Sequence, residues 1–321
     1  MSAVLGIDIA KKKFDVALLR DGKFKTKVFD NTPTGFADLK EWLVRQGAEQ
    51  IHACMEATGI FFEGLATFLA DEGHRVSVVN PLKIKAFGES LLTRTKTDKA
   101  DARLIARFCE GMNPSPWQPD PPEIRQLKAL GRRRDALVEM RTQESNRDGS
   151  SSPRVQESIH TVIGMLDREI EDITRKIKEH IGNHPDLKNK SDLLRSIPGI
   201  GDASIEAILS ETNGFANFDK VEQVVAYMGL SPREKSSGSS VRGKACVCKT
   251  GNRRLRKILY MPALVAMRHN PLVQQLAQRL KEKSKHGKLI ACACMKKLVH
   301  IMFGVIKNNQ PFNPNYMLNF A

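Results

Sequence analysis

The sequence predicts a chain in two styles: an α/β N-terminal domain built on one mixed sheet, then a basic, mainly α C-terminal domain reached through long helices. Three observations carry that prediction. Short β-rich apolar runs alternate with helical patterns over the first 113 residues. A stretch from Pro114 to Pro122, with five prolines in nine positions, cannot continue a helix. Beyond it, apolar residues recur at helical spacing over long segments. The expected divisions are residues 1–113, a helical hairpin or coiled-coil linker over 114–190, and a C-terminal domain over 191–321. A chain of 321 residues with 41% apolar content is long enough to bury a core in more than one of these.

Residues 4–9 and 14–19 form β-rich apolar runs, the first interrupted by a single acid, Asp8. Asp21-Gly22 gives a tight hairpin signal into residues 23–29, which alternate with period two. Residues 34–44 carry Phe36, Leu39 and Leu43 at helical spacing, with Gly47 placed to stop the helix. Residues 51–56 make a buried strand ending in Glu56, and Ala57-Thr58-Gly59 turns into a helix running to about Asp71. A further strand over 75–80 is stopped by Pro81. Three hairpin-connected strands followed by helix, strand, helix, strand is the order of a ribonuclease H-like sheet.

An acid inside a buried strand is costly without a cation, and Asp8 and Glu56 both meet that description. Asp98 and Asp101 open the next helical pattern three residues apart, which puts both on one helix face. Such aspartates also offset a helix dipole, or pair with Lys99 and Arg103 on a solvated face. If the strands carrying Asp8 and Glu56 are adjacent, the helix closes a ring of four carboxylates. Four oxygen-bearing groups suit one or two hard cations, Mg²⁺ or Mn²⁺, about 3.5 to 4 Å apart, the arrangement that clamps a phosphodiester during displacement.

In the central segment, residues 123–147 read as a helix with Ile124, Leu127, Leu130, Leu137 and Met140 inward. A break at 148–153 follows, with a flexible Ser150-Ser151-Ser152 hinge. From Val155 to Ile181 the apolar residues stay on one stripe, so an antiparallel helical hairpin is expected, its stripe packed on the sister helix or on a second subunit. His180 and His184, four apart, lack a third ligand nearby in sequence.

Charge is concentrated at the C-terminal end. The chain carries a formal +15, yet residues 233–321 alone hold 18 Lys or Arg against Glu234 and Glu282, a balance of +16. A polyanion is the economical partner, because phosphate neutralisation supplies most nucleic-acid affinity. Leu193 to Gly201 resembles a helix-hairpin-helix turn, whose glycines bring backbone N–H groups to a phosphate, although a tight turn between core helices has the same form. In Ser231 to Lys244, small residues free the backbone while Arg233, Lys235, Arg242 and Lys244 supply charge; Arg253 and Arg254 follow on a basic helix. A serine there becomes a nucleophile only when a base or metal draws off its proton.

The six cysteines fall at 54, 109, 246, 248, 292 and 294, too closely paired for a zinc knuckle, and read as reduced thiols. No apolar run of about 18 residues and no signal-peptide pattern is evident, which predicts a cytoplasmic protein away from membranes.

Ile7-Asp8-Ile9-Ala10-Lys11, Met55-Glu56-Ala57-Thr58-Gly59 and Lys96-Thr97-Asp98-Lys99-Ala100-Asp101-Ala102-Arg103 closely resemble the DEDD signature of the one-ten family of insertion-sequence transposases, relatives of the Piv DNA invertases. The resemblance implies a RuvC-like domain with Asp8, Glu56, Asp98 and Asp101 as divalent-metal ligands. Ser237-Gly238-Ser239-Ser240-Val241-Arg242-Gly243 resembles the same family, which implies Ser237 as nucleophile; Ser236 is an adjacent alternative that spacing does not exclude. It further implies double-stranded donor and target DNA, a bridge RNA guide, and a homo-oligomer, a dimer assembling to a tetramer through the coiled coil. The function expected is a DNA transposase and recombinase acting through a phosphoserine intermediate. Its rivals are a RuvC-type metal-dependent hydrolytic nuclease and a non-catalytic nucleic-acid-binding protein.

Overall fold

Five strands build the N-terminal sheet: β1 (Ala3–Ile9), β2 (Lys13–Arg20), β3 (Lys23–Asp30), β4 (Ile51–Glu56) and β5 (Arg75–Val79), in the order β3-β2-β1-β4-β5. The first three are antiparallel neighbours, while β4 runs parallel to β1 and β5 parallel to β4. The mixed sheet expected from the strand order is therefore present. Asp21 and Gly22 both take positive φ, 50° and 73°, as a two-residue turn matched to the strand twist requires. The computed structural model describes residues 3–57, 59–91, 97–149, 152–233, 236–237, 241–242, 246–248 and 250–315, with backbone alone at 233, 236, 237, 241, 242 and 246.

Successive side chains alternate across a sheet, so each strand feeds two layers. On one face, Leu5, Ile7, Phe14, Val16 and Leu18 pack with Leu39 and Leu43 of α1 (Pro33–Arg45) and Leu65 and Leu69 of α2 (Glu63–Asp71). On the other, Val4, Cys54 and Val79 pack with Ile84 of α3 (Pro81–Ser90) and Ile105, Ala106, Phe108 and Cys109 of α4 (Asp98–Met112). The strand ends before Pro81 as expected, and Pro81 also opens α3: Asn80 accepts a hydrogen bond from the Leu82 N–H, and a proline ring suits a first helical turn. Thr97 caps α4 by accepting from the Ala100 N–H at 3.2 Å.

The described residues divide into two units, Met1–Pro119 and Asp120–Ala321. In the second, α5 (Pro122–Asp148) and α6 (Pro153–Asn183) form the expected antiparallel hairpin, tied by the Arg141–Asp167 ion pair. Ser150 and Ser151 of the expected hinge lie outside the described residues. Ile124, Leu127 and Ile177 join the core of the C-terminal helices, so the root of the hairpin belongs to that unit. Ile159 is the other buried member of the α6 stripe, whereas Val155 and Val162 are exposed.

Then come α7 (Pro185–Arg195), α8 (Asp202–Thr212) and α9 (Val221–Tyr227). Two short hairpin ladders follow, β6 (Pro232–Arg233) with β9 (Cys246–Val247) and β7 (Ser236–Ser237) with β8 (Val241–Arg242). The chain closes with α10 (Arg253–Ile258), α11 (Tyr260–His269), α12 (Pro271–Glu282) and α13 (Gly287–Lys307). Gly199, at φ 101°, meets α11 so closely that a Cβ would lie 2.9 Å from the Ala266 nitrogen. Packing alone thus accounts for a glycine in the turn that resembled a helix-hairpin-helix. α13 is long and apolar enough by composition to cross a membrane, half of it buried, and Ile290, Cys294, Leu298 and Met302 place it in the core of its unit.

Candidate active site

Asp8, Asp98 and Asp101 come near one another at one end of the N-terminal sheet, and strand register places Glu56 at the same end, one step beyond the Ile7–Met55 pair. Asp8 is on the β1 face that meets α4, along with Val4 and Gly6, because side chains two apart share a face. Glu56 ends β4 one register step beyond the Ile7–Met55 pair, on the same face as Cys54. α4 lies directly against β1 at Gly6, where an added Cβ would sit 2.1 Å from the Ala102 carbonyl oxygen and 2.3 Å from the Ala106 nitrogen. That contact brings the first turn of α4, with Asp98 and Asp101, toward Asp8.

The electrostatics follow from this packing. Burial and the negative charges of Asp101, Asp98 and Asp15 push the Asp8 carboxyl up to about 6. Asp15 was not foreseen in the sequence. It is buried on β2 and pairs directly across from Asp8. Lys13 supplies an internal counter-charge: its Nζ donates to Asp98 Oδ2 at 2.9 Å and to Asp15 Oδ2 at 3.4 Å. That ammonium holds the exposed Asp98 carboxyl below its usual range. The antiparallel register would have revealed Asp15 in advance, since a turn centred between Ile9 and Phe14 sets Asp8 against Asp15.

Crowded carboxylates with one raised above its ordinary value fit the chemistry of a hard divalent cation. Among the described residues, however, no three His, Cys, Asp or Glu side chains converge closely enough to hold an ion as they stand. His180 and His184 are committed elsewhere: His180 Nε2 donates to the Glu123 carbonyl at 2.8 Å and His184 Nδ1 to the His180 carbonyl at 2.7 Å. The described cysteines are free thiols.

The serine-bearing segment lies in the other unit. Ser237 pairs with Val241 and Ser236 with Arg242 in the β7–β8 ladder, so both serines stand near the tip of a hairpin. Their side chains lie outside the described residues, as do those of Arg233 and Arg242 and the whole of Lys235 and Lys244. Arg253 is exposed. Arg254, expected on a nucleic-acid face, turns inward instead, its Nε donating to Asp135 Oδ2 at 2.6 Å and its Nη2 to Glu206 Oε2 at 3.1 Å.

Two family models cover most of these elements: that of the IS110 DEDD transposases matches residues 5–148, and that of the IS116/IS110/IS902 transposases matches residues 191–278. The pilin gene-inverting protein of Moraxella bovis is 34% identical over 312 residues, spanning 96% of this chain and 97% of its own. The chain belongs to the IS110 family of transposases. It is accordingly a DNA recombinase of the transposase and invertase type. The transposase of insertion sequence IS1328 from Yersinia enterocolitica is 26% identical over 287 residues, covering 78% of this chain and 82% of its own. Among solved structures, T. thermophilus RuvC in complex with a Holliday junction substrate is similar at 16% identity, TM-score 0.27, covering 36% of this chain and 99% of that one.

Proposed function

We propose that this IS110-family protein cleaves and rejoins double-stranded DNA through a covalent phosphoserine, with Asp8, Glu56, Asp98 and Asp101 holding one or two Mg²⁺ or Mn²⁺ ions and Ser237 attacking. The observation that carries the reading is the charge crowding at Asp8, raised to about 6 by burial and by Asp101, Asp98 and Asp15, which Lys13 offsets only in part and a bound divalent cation would relieve further. A bound divalent ion supplies Lewis acidity at the scissile phosphate and offsets the charge of the leaving oxygen.

The residues of the chain do the rest. Ser237 Oγ bonds to phosphorus as its proton leaves, and the bond from phosphorus to the 3′ oxygen breaks. That oxygen takes up a proton to become a free 3′ hydroxyl. The ester retains the phosphodiester energy, so attack by another 3′ hydroxyl rejoins strands without an external energy source. The basic residues of 233–321 other than the inward-turned Arg254, with Arg253 among them, neutralise backbone phosphates and set the register of the duplex. The bridge RNA guide and the assembly of a dimer into a tetramer belong to the same reading: two duplexes must be chosen and held together. The exposed Val155, Val162 and Met165 of α6 support the second of these.

The test is a denaturing gel of end-labelled DNA incubated with protein and Mg²⁺. The wild type is expected to leave label attached to denatured protein. Ser237→Ala is expected to abolish that adduct while binding DNA within about twofold of the wild-type affinity. Continued cutting by the variant, with products free of protein, would establish the hydrolytic nuclease instead.

A further inference from the structure

The serine hairpin leaves and rejoins a fixed platform. Its outgoing stem follows Met228 and Leu230, both buried. The returning stem is Gly251-Asn252, and Asn252 N–H donates to the Tyr227 carbonyl at 2.7 Å. Gly251, at φ 138°, presses on that same carbonyl, where a Cβ would approach to 2.4 Å. Between the stems, the Cys248 N–H donates to the Ser231 carbonyl at 2.9 Å. Asn252 then caps α10, its Oδ1 accepting from the Leu255 N–H and its Nδ2 donating to Glu211 Oε2 at 2.7 Å.

Two residues after the cap comes Arg254, which binds two other helices at once. Its Nη2 donates to both oxygens of Glu206 on α8, at 3.3 and 3.1 Å, and its Nε to Asp135 on α5 at 2.6 Å. Its Nη1 reaches Ser210 Oγ at 3.3 Å and Glu211 Oε1 at 3.4 Å. Glu206 is 0% exposed and takes a second guanidinium from α5, Arg134 Nη2 at 2.8 Å. Gly131 on α5 permits this approach, since a Cβ there would lie 1.8 Å from Glu206 Oε1. A completely buried carboxylate between two arginines is expensive to assemble and severe to break. Well-packed apolar residues often hold a core as well as such a group, so a polar network at this place invites a reason beyond stability.

From this geometry we infer that Arg254, gripped by Glu206 and Asp135, is a positioning residue for the serine hairpin, registering Ser237 against α5 of the helical hairpin. It acts through the Asn252 cap and the Gly251 stem, two and three residues upstream, and touches no reacting atom. Arg254 is thereby removed from the set of residues available to phosphate. The inference rests on the serine chemistry proposed above, but part of its test does not.

The test compares full-length wild type with Asp135→Asn and Arg254→Lys. Asp135 is 38% exposed on its side chain, so its amide replacement removes a charge from the network without burying a new group. Lysine keeps the charge of Arg254 and loses its fork. Two quantities are read: hydrogen exchange of peptides spanning 231–252, and the initial rate of covalent adduct formation at saturating DNA. The expected result is at least tenfold faster exchange in 231–252, unchanged exchange in α12 and α13, and a tenfold or greater fall in adduct rate with DNA affinity held within twofold. Unchanged exchange in 231–252 in both variants would overturn the inference. Loosening spread evenly over 120–321 would overturn it too, by reducing the network to a general staple. If the wild type forms no adduct, the serine reading falls, and the exchange measurement still decides whether Arg254 holds the hairpin.

Discussion

Asp8 is ionised at neutral pH at the expense of the fold. Its carboxyl stands at about 6 in the folded chain against 3.8 for an unperturbed aspartate, because burial and neighbouring acids disfavour the charge. A raised acid binds its proton more tightly folded than unfolded. The stability it allows is therefore complete below about pH 4 and declines as pH rises through 6. Asp8→Asn is expected to stabilise the metal-free N-terminal unit by on the order of 2 kcal/mol at pH 8 and by little at pH 4. Urea titrations at the two pH values check this, and equal effects at both would contradict it. The same substitution is expected to abolish DNA processing, the trade-off that marks a functional acid. Lys13 moderates the strain by pairing with Asp98 and Asp15. Three of the four acids whose charges meet around Asp8, namely Asp8, Asp98 and Asp101, were legible in the sequence, because an acid in an apolar strand or two at one helix start stands out. Asp15 was hidden, since its significance comes from a cross-strand partner and not from its own neighbours in the chain.

Among the elements, α4 carries the most consequence. It presents two acids and a stripe, Ala102, Ile105, Ala106 and Cys109, that packs on the sheet, and it can approach β1 only because residue 6 lacks a side chain. Gly6→Ala is expected to destabilise the N-terminal unit by about 1–3 kcal/mol, as overpacking against backbone does. By displacing the α4 acids it is also expected to weaken Mn²⁺ binding at least tenfold, followed by the electron paramagnetic resonance of free Mn²⁺. Retention of both properties would show that α4 need not sit so close. The sequence revealed α4, the strands and the long hairpin because their periodicities run for many residues. It concealed α3, where Pro81 both follows the end of β5 and opens a helix, and the two-residue ladders of the serine hairpin, too short to carry a period. The inward turn of Arg254 was equally invisible. One basic residue in a basic helix looks like any other until the carboxylates of α5 and α8 are seen beside it.

For the molecule as a whole, charge and core are distributed differently. The positive excess belongs to residues 233–321, whereas each hydrophobic cluster stays inside one unit. DNA affinity is expected to fall linearly in log–log form with salt, and Arg253→Ala to reduce the magnitude of that slope by about 0.9, the loss of one phosphate contact. Fluorescence anisotropy across a salt series checks it; an unaltered slope would remove Arg253 from the interface. The separation of the clusters bears on how any damage to this protein is measured. Two bodies with disjoint interiors, Met1–Pro119 and Asp120–Ala321, have no single free energy of unfolding. A calorimetric midpoint for the entire chain would average a fault near Gly6 with a sound fold around Glu206. Each substitution discussed above has to be scored on the endotherm of the body that houses it.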